Sequence, residues 1–274
     1  VSFWGGMSGA ALPTQLADLA RGDLAWLRAF LAGRGTHGTS LAAQLDARHD
    51  TERQDTLLTW AACYGQAEAV RLLLEGGASV GATTDGGASA LYIACQEGQI
   101  ECARLLLEAG AATDQADASG CTPLYVASLK GHDQCVRLLL EAGAATDQAK
   151  QNGVTPLNIA CQVGHVECVQ LLRNAGAAVN QARNDGTTPL FMACQQGQLE
   201  CVRLLLEASA AVDQAEGGGW TPLSIACWNG RLECAQLLLE ASAAVDQADE
   251  DGFTPLYTAC QKGHLEIVRL LRPA

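Results

Sequence analysis

The sequence predicts an all-α solenoid of stacked helix-turn-helix repeats, and three observations carry that prediction. The first is a recurrence every 33 residues: Gly120-Cys121-Thr122-Pro123-Leu124 returns as Gly153-Val154-Thr155-Pro156-Leu157, Gly186-Thr187-Thr188-Pro189-Leu190, Gly219-Trp220-Thr221-Pro222-Leu223 and Gly252-Phe253-Thr254-Pro255-Leu256. The second is that each block sets apolar residues at helical spacing between a Thr-Pro start and a glycine stop. The third is size, since a repeat this short cannot bury its own apolar face and must stack on its neighbours to share a continuous core.

The block at Gly120 shows how each element is specified. Thr122 is a natural N-cap, and Pro123 occupies the first helical position, where its missing N–H is harmless. Gly131 breaks this helix. A second helix is predicted from about Asp133 to Ala142, with Cys135, Val136, Leu138 and Leu139 on one face. Gly143 supplies its left-handed stop, and a polar connector follows to Asn152. Counted this way, repeats lie near residues 12–53, 54–86, 87–119, 120–152, 153–185, 186–218, 219–251 and 252–274. They form one elongated domain over 12–274.

The first repeat is degenerate. Leu16, Leu19, Leu24, Trp26, Leu27, Phe30 and Leu31 outline its helices, but Gly22 stands ten residues farther from Gly65 than the period allows. The surplus falls between Gly33 and Asp50, where Ser40 to Leu45 reads as an extra helical turn. The last repeat stops at Ala274 inside its second helix, which suits either an atypical end repeat or a longer parent chain. Residues 1–11 fit neither pattern and read as a leader, with Met7 a candidate start and Val1 to Gly6 an added remnant.

Composition narrows the function. A formal net charge of −13 without a basic block speaks against binding nucleic acid or an anionic membrane, since phosphate contacts need clustered Lys and Arg. The apolar runs, such as Leu138-Leu139-Leu140, fall far short of the ~20 residues a membrane helix needs, which predicts a soluble chain without membrane insertion. Ten of the twelve cysteines recur at two repeat positions, Cys95, Cys161, Cys194, Cys227 and Cys260 at one and Cys102, Cys135, Cys168, Cys201 and Cys234 at the other. Equivalent positions of stacked helices lie ~8–10 Å apart, beyond the reach of a disulfide, so these are expected to be small core thiols. With no glycosylation sequon or signal peptide visible, a reducing compartment, cytoplasmic or nuclear, is expected. No cofactor or metal is expected either: there is no P-loop, no Gly-x-Ser-x-Gly and no paired Cys-x-x-Cys spacing. His132, His165 and His264 recur at the turn before the second helix and are expected to be exposed. Asp114, Asp147, Asp213 and Asp246 share a connector position and read as a solvated face.

These motifs together resemble an ankyrin-repeat domain: Thr-Pro-Leu-x-x-Ala, the Gly-His or Gly-Gln turn, Leu-Leu-Leu-Glu and Gly-Ala-Ala-x-Asp, over about residues 12–274. The resemblance implies two antiparallel helices per repeat, short hairpin-like connectors and a curved slab with a concave face. Three departures stand out. Tyr125, Asn158, Phe191, Ser224 and Tyr257 replace the usual histidine after Thr-Pro-Leu. Ser209 and Ser242 replace the stopping glycines Gly110, Gly143 and Gly176, so those connectors are either strained or differently shaped. Arg173 takes the place of the third Leu of Leu-Leu-Leu. Asn180 resembles the connector asparagine that oxygen-dependent hydroxylases modify in ankyrin proteins, although Ala178 stands where an acidic residue is usual.

The resemblance also implies which positions face a partner: the two residues before the motif Gly, the one after it, and the two before the turn Gly. Here these include Cys121, Val154 and Thr187, and, more tellingly, Trp220, Trp228 and Phe253, large apolar groups at nominally exposed places. These three are expected to anchor a partner, with Asn229 beside them and Gln162, Gln195, Gln196 and Gln261 as a polar ladder. Leu129, Lys130, Val163, Lys262 and Tyr64 extend the same surface. Trp26 and Trp60 fall on core positions. The function expected is a non-enzymatic protein-interaction domain holding an extended peptide or loop of another protein on the concave face. The alternative is a substrate-recognition subunit of a ubiquitin ligase or other multi-protein enzyme complex.

Overall fold

A computed structural model describes residues 14–32, 45–46 and 55–272. Among these are sixteen helices and no strand, the only β feature being an isolated antiparallel bridge between Thr83 and Ser89. The expected leader 1–11 lies outside the described residues, as does the expected turn at 40–45 except for Leu45, which is buried. The chain divides into two compact units, Val1–Ala118 and Ser119–Ala274. The first holds α1 (Thr14–Arg21), α2 (Ala25–Ala32), α3 (Leu57–Cys63), α4 (Ala67–Glu75), α5 (Ala90–Gln96) and α6 (Ile100–Glu108). The second holds α7 (Pro123–Lys130), α8 (Asp133–Glu141), α9 (Pro156–Val163), α10 (Val166–Asn174) and α11 (Pro189–Gln196). It continues with α12 (Leu199–Glu207), α13 (Pro222–Trp228), α14 (Leu232–Glu240), α15 (Pro255–Lys262) and α16 (Leu265–Leu271).

The helix starts follow from local chemistry. Thr122, Thr155, Thr188, Thr221 and Thr254 sit in extended backbone and each accepts, through its hydroxyl, the N–H three residues on. Each cap satisfies one orphan donor of the first turn, worth ~1 kcal/mol. Asn158 and Ser224, two of the residues that replace the expected histidine, close a reciprocal capping box with Thr155 and Thr221. Tyr125 and Phe191 are instead buried, while Tyr257 is exposed. The small residue of Thr-Pro-Leu-x-x-Ala is required by packing: Ala127, Ala160, Ala193, Ala226 and Ala259 are all fully buried between neighbouring first helices.

The second helices end on a left-handed residue whatever its type. Gly143 and Gly176 have φ of 82° and 86°, and Ser209 and Ser242 adopt 58° and 66°. In each case the paired backbone bonds of a Schellman stop form, for example Ser209 N–H to Leu206 C=O at 2.9 Å and Ala210 N–H to Leu205 C=O at 3.0 Å. The connectors therefore keep one shape and the serines are strained within it.

Two polar ladders lock successive repeats, and both correct the sequence reading. The residue after each turn glycine reaches back to a carbonyl near the end of the preceding first helix. Gln198 Nε2 donates to Val163 C=O at 3.1 Å, and His165 and His264 meet Leu129 and Trp228 C=O through Nε2 at 3.2 Å each. A carbonyl can only accept, so Nε2 carries the proton in both rings. In the first unit Gln66 does the same to Ala20 C=O at 3.1 Å. These histidines are half-buried struts rather than exposed turn residues, because the orphan carbonyls of a helix end need donors. Likewise Asp147, Asn180 and Asp213 accept the N–H of Ala178, Ala211 and Ala244 at 2.8–2.9 Å. The recurring carboxylates Asp147 and Asp213 are thus inter-repeat acceptors, not a merely solvated face. Arg173 is half-buried, donating to Leu204 C=O at 3.2 Å and pairing with Glu207.

Candidate partner-binding surface

The hairpin-like connectors of the second unit stack tip on tip. Arg183, Glu216 and Asp249 N–H donate to Thr187, Trp220 and Phe253 C=O at 2.9–3.0 Å, closing each tight turn. The tips join through Asn184 N–H to Asn152 C=O, Gly217 N–H to Asp185 C=O and Glu250 N–H to Gly218 C=O, at 2.9–3.1 Å. This close approach needs glycine. A Cβ on Gly219, at φ 86°, would lie 2.9 Å from Asp249 Cα. The stack also buries the residue after the motif glycine where it is small, so Cys121, Val154 and Thr187, expected on the surface, are 7%, 4% and 8% exposed. Trp220 and Phe253 at the same position are too large to tuck under and stay half-buried.

Trp220 and Trp228 meet edge to face with ring centroids 5.2 Å apart. They line a cleft of about 440 Å³ together with Thr187, Phe191, Gln195, Glu216 and Ile225. Glu216 Oε1 accepts the N–H of Gly218 at 2.8 Å and of Trp220 at 3.2 Å, which fixes the turn that presents Trp220. Lys262, at the end of α15, holds its ammonium 3.5 Å from the Trp228 ring centroid. Phe253 stands apart from this cleft. It stacks on Tyr257, centroids 4.5 Å apart and planes 5° off parallel. The position of Tyr257, the residue three after the capping Thr, is where a signal for this pair was available.

The other expected contacts are distributed along the same elements. Gln162 and Asn229 are half-buried, and Asn229 Nδ2 donates to Ile225 C=O at 3.0 Å. Gln196, Gln261 and Lys130 are exposed, Leu129 is half-buried, and Val163 is exposed at 42%. Leu129, Val163, Gln195 and Trp228 each give a main-chain carbonyl to the inter-repeat ladder, so their backbone is held while the side chain remains available. Tyr64 belongs to the first unit, where it tilts against Trp60 at 5.0 Å. Burial, then Cys63, Asp55 and Glu97, hold its phenol above the usual range. Trp60 is fully buried and donates to Leu16 C=O at 2.9 Å, as a core residue should, whereas Trp26 is only half-buried. Glu216 and Phe191 joined the cleft without a distinctive sequence signal, one lying in a connector and the other in a helix start.

Most of the thiols are core groups, but Cys260, expected in the core, is exposed because it lies on the first helix of the last repeat, and Cys63 is half-buried. All twelve cysteines lie among the described residues, none in a disulfide, and ten are buried. Burial pushes Cys102, Cys201 and Cys234 up to about 11 and Cys168 and Cys227 up to about 12. No described helix is long and apolar enough to cross a membrane.

Comparison with known proteins agrees with this architecture. The family model for ankyrin repeats (3 copies) matches overlapping stretches at 30–117, 58–150, 109–182, 142–216, 174–249 and 208–274. No curated protein matches the chain. Among solved structures, 613 chains match, so the fold alone selects no partner. One of them, the crystal structure of the human ASB11 ankyrin repeat domain, is 31% identical, with 80% of this chain and 99% of that chain covered at a TM-score of 0.72. With the repeat motif, the helix pairs and the hairpin stack in agreement, the chain belongs to the ankyrin-repeat family.

Proposed function

We propose that this protein is a non-enzymatic interaction domain that grips an extended peptide or loop of another protein on the face built from hairpin tips and first-helix ends, in a reducing cytoplasmic or nuclear compartment. Ankyrin repeats are protein-interaction modules, and the observation that focuses the site is the tryptophan pair lining an open cleft. Half-buried aromatic rings present large apolar area at little conformational cost, which is why tryptophan dominates interface energetics. Gln195 lies in the cleft, and Gln162, Gln196, Gln261 and Asn229 offer adaptable hydrogen bonds around it.

Trp228→Ala and Trp220→Ala are expected to weaken partner affinity at least ~10-fold, since truncating an anchor costs ~2 kcal/mol or more. Their melting temperatures should fall only slightly, because the lost ring pair contributes about 0.5–1.5 kcal/mol. A melting collapse in both variants would make these tryptophans stacking residues and move the site. The ubiquitin-ligase reading uses the same face and differs in what else joins the complex. Recovery of a ligase scaffold with the intact protein is the result that would favour it.

A further inference from the structure

The cleft carries a chemical preference beyond aromatic anchoring. We infer that it seats a cationic side chain of the partner, arginine above all; this rests on the docking face proposed above. The first reason is that Trp228 already holds a cation: the Lys262 ammonium lies 3.5 Å from its ring centroid, well inside the ~6 Å at which a ring quadrupole attracts positive charge. The second is the carboxylate in the wall. Glu216 Oε1 is taken by the backbone N–H groups of Gly218 and Trp220, while Oε2 accepts no hydrogen bond from the described residues.

The third reason is the distribution of charge. Asp185, Glu250 and Asp251 are exposed at the stacked hairpin tips of the same unit. Two basic residues share this stack: Arg183 pairs with Asp185 at 3.4 Å, and Lys150, one repeat away, lies over the Tyr125 ring at 5.8 Å. Arg137 and Arg203 are on second helices, paired with Glu167 and Glu200, and no second-helix residue lines the cleft. The hairpin side of the cleft is therefore acidic, in a chain whose net charge is −13, and the basic groups stand on the helix side: Lys262 over Trp228, and Arg231, whose Nε donates to Gln195 C=O. A guanidinium meets all three conditions at once, since its plane stacks on an indole while its fork of N–H donors reaches a carboxylate. An acidic or neutral polar anchor would meet repulsion or an unpaired wall.

The test is selection of a random extended-peptide library on the intact chain, followed by affinity measurement on the best binder. Arginine should be enriched at one position, and replacing it by citrulline, which keeps the shape and removes the charge, should weaken binding at least ~10-fold. In Glu216→Gln, which preserves the acceptor for the hairpin N–H groups, the same replacement should matter about 3-fold or less. Lys262→Met removes a competing positive charge from the cleft and should tighten the arginine peptide by about 2- to 5-fold. Binders that need Trp220 and Trp228 but carry an apolar anchor, or an unchanged or weaker affinity in Lys262→Met, would overturn the cation seat and leave the docking face standing. Binders indifferent to both tryptophans would instead remove the docking face itself.

Discussion

Replacing Ser209 or Ser242 by glycine should stabilise the protein, and the structure sets the size of the gain. Both serines sit in the left-handed region, at φ of 58° and 66°, where an L-residue loses ~1–2 kcal/mol through the clash of its Cβ with the following carbonyl. Nothing else opposes the side chain. At the equivalent Gly110, Gly143 and Gly176 an added Cβ would meet no atom within 4 Å, so the penalty is the residue's own backbone strain. The bonds that shape the stop, Ser242 N–H to Leu239 C=O and Ala243 N–H to Leu238 C=O at 2.9 Å each, are main-chain and survive the change. Against the relief stands the wider freedom of glycine in the unfolded chain, about 0.4–1 kcal/mol. The net expectation is a gain of a few tenths to ~1 kcal/mol per site. Urea titrations of Ser209→Gly, Ser242→Gly and the reciprocal Gly143→Ser should show two rises in midpoint and one comparable fall. Destabilisation by both serine replacements would refute the strain account, as would a neutral Gly143→Ser.

Three further outcomes follow from the packing. Gly143→Ala should cost only a few tenths to ~1 kcal/mol, the left-handed penalty less the freedom the unfolded chain gives up. Gly219→Ala should cost more, because its Cβ meets the Asp249 backbone at 2.9 Å; equal urea midpoints for the two would contradict the hairpin stacking. Alkylation of the native protein should label exposed Cys260 first and half-buried Cys63 next, with the ten buried thiols reacting only on unfolding, and all twelve should be labelled in denaturant without reductant. Mass spectrometry that finds two or more blocked in every preparation would overturn the thiol assignment. Alkaline pH should destabilise the fold. Burial pushes Cys168 and Cys227 up to about 12, above the ordinary thiol value of 9.0, so the unfolded chain loses those protons first. The stabilisation is whole below pH ~9 and is lost as pH climbs from there through the folded values. Urea midpoints should decline across that window, less steeply in Cys168→Ala.

How much of this was legible in the sequence follows a physical divide between local and inter-repeat causes. Thr122 to Leu124, Gly131 and Gly143 announce a cap, a start and two stops because each acts on backbone within a few residues, and such signals survive reading in one dimension. The 33-residue period then multiplies them into a fold. What it conceals is any role defined by the next repeat along. His165 and Asp147 resemble exposed polar residues until Leu129 C=O and Ala178 N–H are set beside them. The same blindness governs the candidate site. Trp220 and Trp228 could be singled out because they break the repeat pattern at nominally exposed positions, whereas nothing in the pattern separates Phe253 from them. Only the stack shows that Phe253 has Tyr257 for a partner while the tryptophans share a cleft with Glu216. Departures from a period therefore mark where a repeat protein has been specialised, and it is the polar group brought alongside from a neighbouring element, here a glutamate wall and a lysine at the ring, that gives such a departure its chemistry.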